Sequence, residues 1–70
     1  MTLFYWEQRW ASSNGWCPVT SDTHPAPDKT GRTFSGARIR NLAAVPAALA
    51  DLPFDEIVAA AARGELEDAA

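Results

Sequence analysis

Hydrophobic and polar residues alternate along the first ten positions. Phe4, Trp6, Gln8 and Trp10 fall on one side of an extended chain, and Leu3, Tyr5, Glu7 and Arg9 on the other. A period of two in an aromatic-rich run is the signature of a β-strand. Leu3 to Trp10 is therefore expected to form one, with the Phe4, Trp6 and Trp10 side toward the core. Ser12-Ser13-Asn14-Gly15 then gives a strong hairpin signal, and Trp16 to Ser21 resumes the extended pattern. A two-residue Asn-Gly turn would set Pro18 opposite Ala11 at a hydrogen-bonded position, where proline has no N–H to give. A loop of about three to five residues, with Gly15 in the left-handed conformation, is expected instead.

Between Ser21 and Gly31 the residues are polar or proline, including His24-Pro25-Ala26-Pro27, and no periodicity survives. This stretch reads as a surface loop. Arg32 to Arg40 alternates again, with Phe34, Gly36 and Arg38 set against Thr33, Ser35, Ala37 and Ile39. That predicts a third strand, weakened by the glycine at its middle. Beyond it the chain becomes rich in alanine. Pro46 to Leu52 reads as a short helix, with proline at its first position and Pro53 as its stop. A second helix is expected to start near Pro53-Phe54-Asp55-Glu56, where two carboxylates suit the positive end of the helix dipole. It should run to Arg63 with Gly64 as C-cap. Phe54, Ile57, Val58 and Ala61 form its apolar stripe, Leu49 and Leu52 serve the shorter helix, and residues 65–70 read as a fraying acidic tail.

The architecture expected from this pattern is α+β: an N-terminal antiparallel hairpin or three-stranded sheet packed against two C-terminal α-helices. The 70 residues form a single small domain, with a β-rich part over 1–40, a helical part over 41–64 and the tail over 65–70. A domain of this size buries only about 60% of the surface its unfolded chain exposes, so it depends on good packing, a staple or a partner.

Charge divides along the same line. Residues 1–40 hold five basic residues against three acidic ones, and residues 41–70 hold six acidic residues against Arg63 alone, for a net charge of -3. A polyanion would be repelled by the second half, and a basic surface attracted to it. Cys17 is the only cysteine and His24 the only histidine. An internal disulfide and a four-ligand metal cage are thereby excluded, and no metal or cofactor is expected. The single thiol, an N-terminus that lacks a basic start and reaches the acid Glu7 within seven residues, and the lack of any apolar run near the roughly 20 residues of a membrane span point to a cytoplasmic protein with no signal peptide.

Cys17 and His24, seven positions apart across strand and loop, have no reason to meet as nucleophile and base, so catalysis is not expected. What remains is binding. Asp51, Asp55, Glu56, Glu65, Glu67 and Asp68 are candidates to occupy a basic groove on a partner in place of phosphates. Trp10 and Trp16 suit a protein interface. Arg38 and Arg40, two apart on a strand, suit a bidentate grip on a carboxylate or phosphate. A further arrangement has Trp6, Trp10 and Trp16 stacking on bases while Arg9, Arg32, Arg38 and Arg40 hold phosphates. Direct nucleic-acid binding ranks below protein binding, because the acidic half subtracts from the attraction.

The aromatic opening (Leu3-Phe4-Tyr5-Trp6-Glu7-Gln8-Arg9-Trp10), the alanine-rich helix (Phe54-Asp55-Glu56-Ile57-Val58 to Arg63-Gly64) and the acidic charge together resemble the small proteins encoded by bacteriophages and prophages. Among these the chain is similar in size and charge to anti-CRISPR proteins. That group shares no motif, so no functional residue carries over. The resemblance implies a host-cytoplasmic inhibitor that binds a larger bacterial protein or ribonucleoprotein, such as a CRISPR effector, and blocks target-DNA binding or cleavage. The alternative is an accessory or structural subunit acting by self-association, for example as a homodimer.

Overall fold

The computed structural model describes residues 2–10, 15–33 and 35–68. Strand β1 (Leu3–Arg9) lies between β2 (Cys17–Ser21) and β3 (Arg38–Val45), and a short strand β4 (Glu67–Asp68) extends the sheet beyond β3. All three pairings are antiparallel. Helix α1 (Phe54–Ala62) joins β3 to β4 through the chain. The expected pair of C-terminal helices is thus corrected to one short helix and a fourth strand. Among the described residues, no helix is long and apolar enough to cross a membrane.

The segment between Pro46 and Pro53 forms successive tight turns rather than a helix. Its amides reach back three residues, Leu49 to the Pro46 carbonyl at 2.9 Å and Leu52 to the Leu49 carbonyl at 3.1 Å. Two helical turns are too few to offset the cost of nucleation, and the residue before a proline is steered out of the helical region. α1 starts where the sequence predicts and ends one residue early, at Ala62, with Arg63 rather than Gly64 as its C-cap. Its last carbonyls are closed by a Schellman turn, with Gly64 N–H to Ala61 at 3.1 Å, Glu65 N–H to Ala60 at 3.0 Å, and Gly64 at φ 75°. That turn reverses the chain and lays Glu67 and Asp68 beside Ala44 and Ala43 of β3. The fraying tail is therefore corrected as far as Asp68.

The core sits on the side of β1 opposite to the expected one. Tyr5, Val45 and Ile57 pack together, with Leu3, Leu49, Ala50, Val58, Ala61 and Leu66 around them. The buried helix positions are Ile57 and Ala60, whereas Phe54 is 48% exposed. The helix thus turns Ile57 and Ala60 inward and leaves Phe54 outside the core. Trp6 is nevertheless 7% exposed. The polar loop after β2 passes on its side of the sheet: the His24 ring meets Phe4 edge-on at 5.1 Å, and Thr23, Pro25, Thr33 and Ser35 border Trp6. Being central, β1 buries both faces at its middle, and the loop does for one what α1 does for the other.

Two further expectations shift. The pairing of Gln8 with Cys17 makes the first connection run from Trp10 to Trp16, longer than anticipated; Ser12, Ser13 and Asn14, which carry the turn signal, lie outside the described residues. The third strand begins at Arg38 rather than Arg32, because Thr33 to Gly36 closes a tight turn with Gly36 at φ 93°; Phe34 lies outside the described residues. β3 also carries a bulge. Tyr5 faces Ala43 while Glu7 faces Arg40, so Asn41 and Leu42 together stand opposite Trp6. Asn41 takes a φ of 57°, the left-handed region that asparagine enters more readily than most residues.

Candidate functional site

Arg9 of β1 pairs directly with Arg38 of β3, and Arg38 in turn pairs with Arg32 through an isolated bridge. Directly opposed residues point to the same side of a sheet, about 5 Å apart, so three guanidinium groups form one lateral row. All three are exposed. With Trp10, Trp16 and Gly36 they line a concavity of about 310 Å³. Among the described residues the ion pairs are Arg40 with Glu7 and Arg63 with Glu65; none involves the row, and the carboxylate that feels the Arg32 charge is Asp28, which bonds the Arg32 amide rather than its guanidinium. Like charges placed directly opposite one another weaken a sheet.

Local structure fixes the third arginine. The Asp28 carboxylate accepts the Thr30 hydroxyl at 2.6 Å, the Thr30 amide at 2.8 Å and the Arg32 amide at 3.1 Å. The backbone adds Asp28 N–H to the Arg32 carbonyl at 2.9 Å and Gly31 N–H to the Asp28 carbonyl at 3.0 Å. These donors, the Thr30 hydroxyl foremost, hold the Asp28 carboxyl below the ordinary aspartate range. Asp28 followed by Thr30 and Gly31 is a recognisable Asx-turn sequence; here it closes the loop that delivers Arg32 to β3.

Arg40 plays a different part from its neighbour two residues away. Its Nε donates to Glu7 Oε1 at 2.8 Å, Asn41 Nδ2 donates to the same oxygen at 2.7 Å, and the guanidinium carbon lies 4.3 Å from the centre of the Trp16 ring. A cation on an indole face is worth about 0.5–1 kcal/mol at such a site. Arg40 is therefore neutralised, and it props Trp16 as one wall of the pocket. Glu7 also bears on the core: burial first, and then its negative charge, push the Tyr5 hydroxyl above its ordinary range.

The structure thus joins Trp10, Trp16 and Arg38 with Arg9 and Arg32, and sets Arg40 behind Trp16. Trp10 is 45% exposed, whereas Trp6 is buried and removed from any stacking surface. The acidic candidates lie on several elements, and Glu56 and Glu65 both act on Arg63. Asp51 lies in the turns before α1, Asp55 and Glu56 in its first helical turn, and Glu67 and Asp68 on β4. Glu65 is held by Arg63 through two hydrogen bonds of 2.8 and 3.1 Å, which keep its carboxyl below the ordinary range. Cys17 faces Gln8 at one end of β2, while His24 packs on Phe4, whose partner Ser21 is the other end. His24 Nδ1 accepts the Ala26 amide at 2.9 Å, so the ring nitrogen that carries its proton is Nε2. Among the described residues, no group of three or more His, Cys, Asp or Glu is arranged to hold a metal.

No family model, curated protein or solved structure matches the chain. The chemistry of the site therefore rests on its own residues. Three arginines offer fork-shaped donors to oxyanions, and two indoles offer flat apolar faces.

Proposed function

We propose that this protein is a small non-catalytic inhibitor or binding protein that docks on a larger macromolecule through the arginine and tryptophan end of its sheet. The observation that carries this reading is the row Arg9, Arg38 and Arg32, which has no ion pair among the described residues, beside Trp10 and Trp16. A row of like charges that lowers stability is retained where a ligand uses it, and tryptophan with arginine is the commonest composition of binding hot spots. Glu65 is bonded to Arg63, which also feels the charge of Glu56, so part of the acidic set is compensated within the chain, and this favours the arginine and tryptophan end over a phosphate-mimicking acidic face.

A photoreactive phenylalanine analogue placed at position 10, and separately at position 52, tests the reading in bacterial cells. Crosslinks from position 10 that disappear when Arg9 and Arg38 are changed to Glu are the expected result. Crosslinks from position 52 alone would refute it. The resemblance to anti-CRISPR proteins makes a CRISPR effector the first defined partner to try: added chain should lower target-DNA binding or cleavage, and the doubly reversed variant should not.

A further inference from the structure

Within that docking reading, we propose that the ligand of the arginine and tryptophan pocket is a single-stranded nucleic-acid segment, one or two nucleotides seated at a time. The pocket's two components choose this class together. An acidic peptide would satisfy Arg9, Arg32 and Arg38 but leave the indoles of Trp10 and Trp16 facing water. A nucleotide gives phosphate oxygens to the arginines and a base to stack on an indole. A volume of about 310 Å³ is at the small end for ligand sites, which sets the occupancy.

The chain's net negative charge argues against a polyanion only if the negative groups lie near the pocket. None of them lines it, and Asp28, the carboxylate that feels the Arg32 charge, is already taken up by the Thr30 hydroxyl and the Thr30 and Arg32 amides. Glu67 and Asp68 pair beside Ala44 and Ala43, five to six residues along β3 from Arg38, or roughly 16–20 Å at the rise of a strand. The screening length at physiological salt is about 8 Å, so their repulsion is largely lost at the site. Glu7, the carboxylate placed nearest along β1, is already paired with Arg40 and Asn41. Arg40 also holds Trp16 upright without spending a pocket arginine on the task.

The test is fluorescence anisotropy of 5′-fluorescein-labelled hexathymidylate titrated with the full chain, with hexaglutamate as the competing peptide. Three arginine contacts to a single strand predict that the logarithm of affinity falls with the logarithm of salt at a slope of about -2, and that Arg38→Ala brings the slope to about -1.4. Trp10→Ala should weaken binding roughly five- to hundredfold. Both side chains are exposed, and unchanged thermal melts would show that the variants remain folded. Failure of hexathymidylate to bind, or displacement of it by hexaglutamate at equal concentration, would overturn the proposal. In either of those cases, nuclease-resistant crosslinks from position 10 to a protein would leave the docking reading standing, and their absence would remove both.

Discussion

At its Val45 end, β3 stands beside Leu3 of β1 and joins a cluster in which Tyr5, Val45 and Ile57 are 4%, 5% and 3% exposed. At its Arg38 end, the same strand meets Arg9 on one edge and Arg32 on the other, all three in solvent. The two ends share one hydrogen-bonded ladder and differ in what their side chains contribute. The first gains from every pairing, whereas the second sets repelling groups side by side. In a chain this short, with a total stability on the order of 5 kcal/mol, such an arrangement separates what folds the protein from what the protein presents.

The comparison breaks most sharply at Ile57. Ile57→Ala removes the helix's main contribution to the core and should cost about 2–5 kcal/mol, enough to leave much of the protein unfolded; urea denaturation followed by circular dichroism would show it. The opposite sign is expected at the other end. Arg9→Glu turns a repulsive cross-strand pair into an attractive one and should raise stability by about 0.2–1 kcal/mol while abolishing hexathymidylate binding. A destabilised Arg9→Glu variant would mean that the row already has a structural partner.

The smallest effect concerns pH. Asp28 has a lowered carboxyl pKa in the folded loop, so its hydrogen bonds to Thr30 and Arg32 are fully present above the ordinary aspartate range and are lost as pH falls through the lowered value. Amide exchange at Thr30 and Arg32 should accelerate in that acid window while exchange at Tyr5 stays slow. Glu65, also lowered by its contact with Arg63, should release the end of α1 in the same direction.

Features written into consecutive residues were legible from the sequence alone. The alternation of β1, the extent of β2, and α1 with its closing Gly64 each depend on neighbours within a turn or two. β4 and the start of β3 depend on partners far away in sequence. Glu67 and Asp68 have no strand character of their own and form one because the Schellman turn delivers them to Ala43 and Ala44. Alanine at 43, 44 and 60 suggests helix throughout, yet Ala43 and Ala44 are strand residues paired with Asp68 and Glu67, and Ala60 alone of the three is helical. The side of β1 that faces α1 was misjudged because its opposite side also has a cover, a polar loop with no hydrophobic signature. At the site, Trp10, Trp16, Arg38, Arg9 and Arg32 were each noticeable as residue types. Their convergence, and the diversion of Arg40 to Glu7, came only with the register.

That register depends on a count. Had the same residues of β3 continued past Ala43 in unbroken one-to-one pairing, Arg38 would have stood opposite Trp10 and Arg40 opposite Gln8, with both guanidinium groups turned to the far surface. The kink at Asn41 works as a parity switch: one supernumerary amino acid inverts the odd-even sense of the strand and thereby assembles the cationic rank.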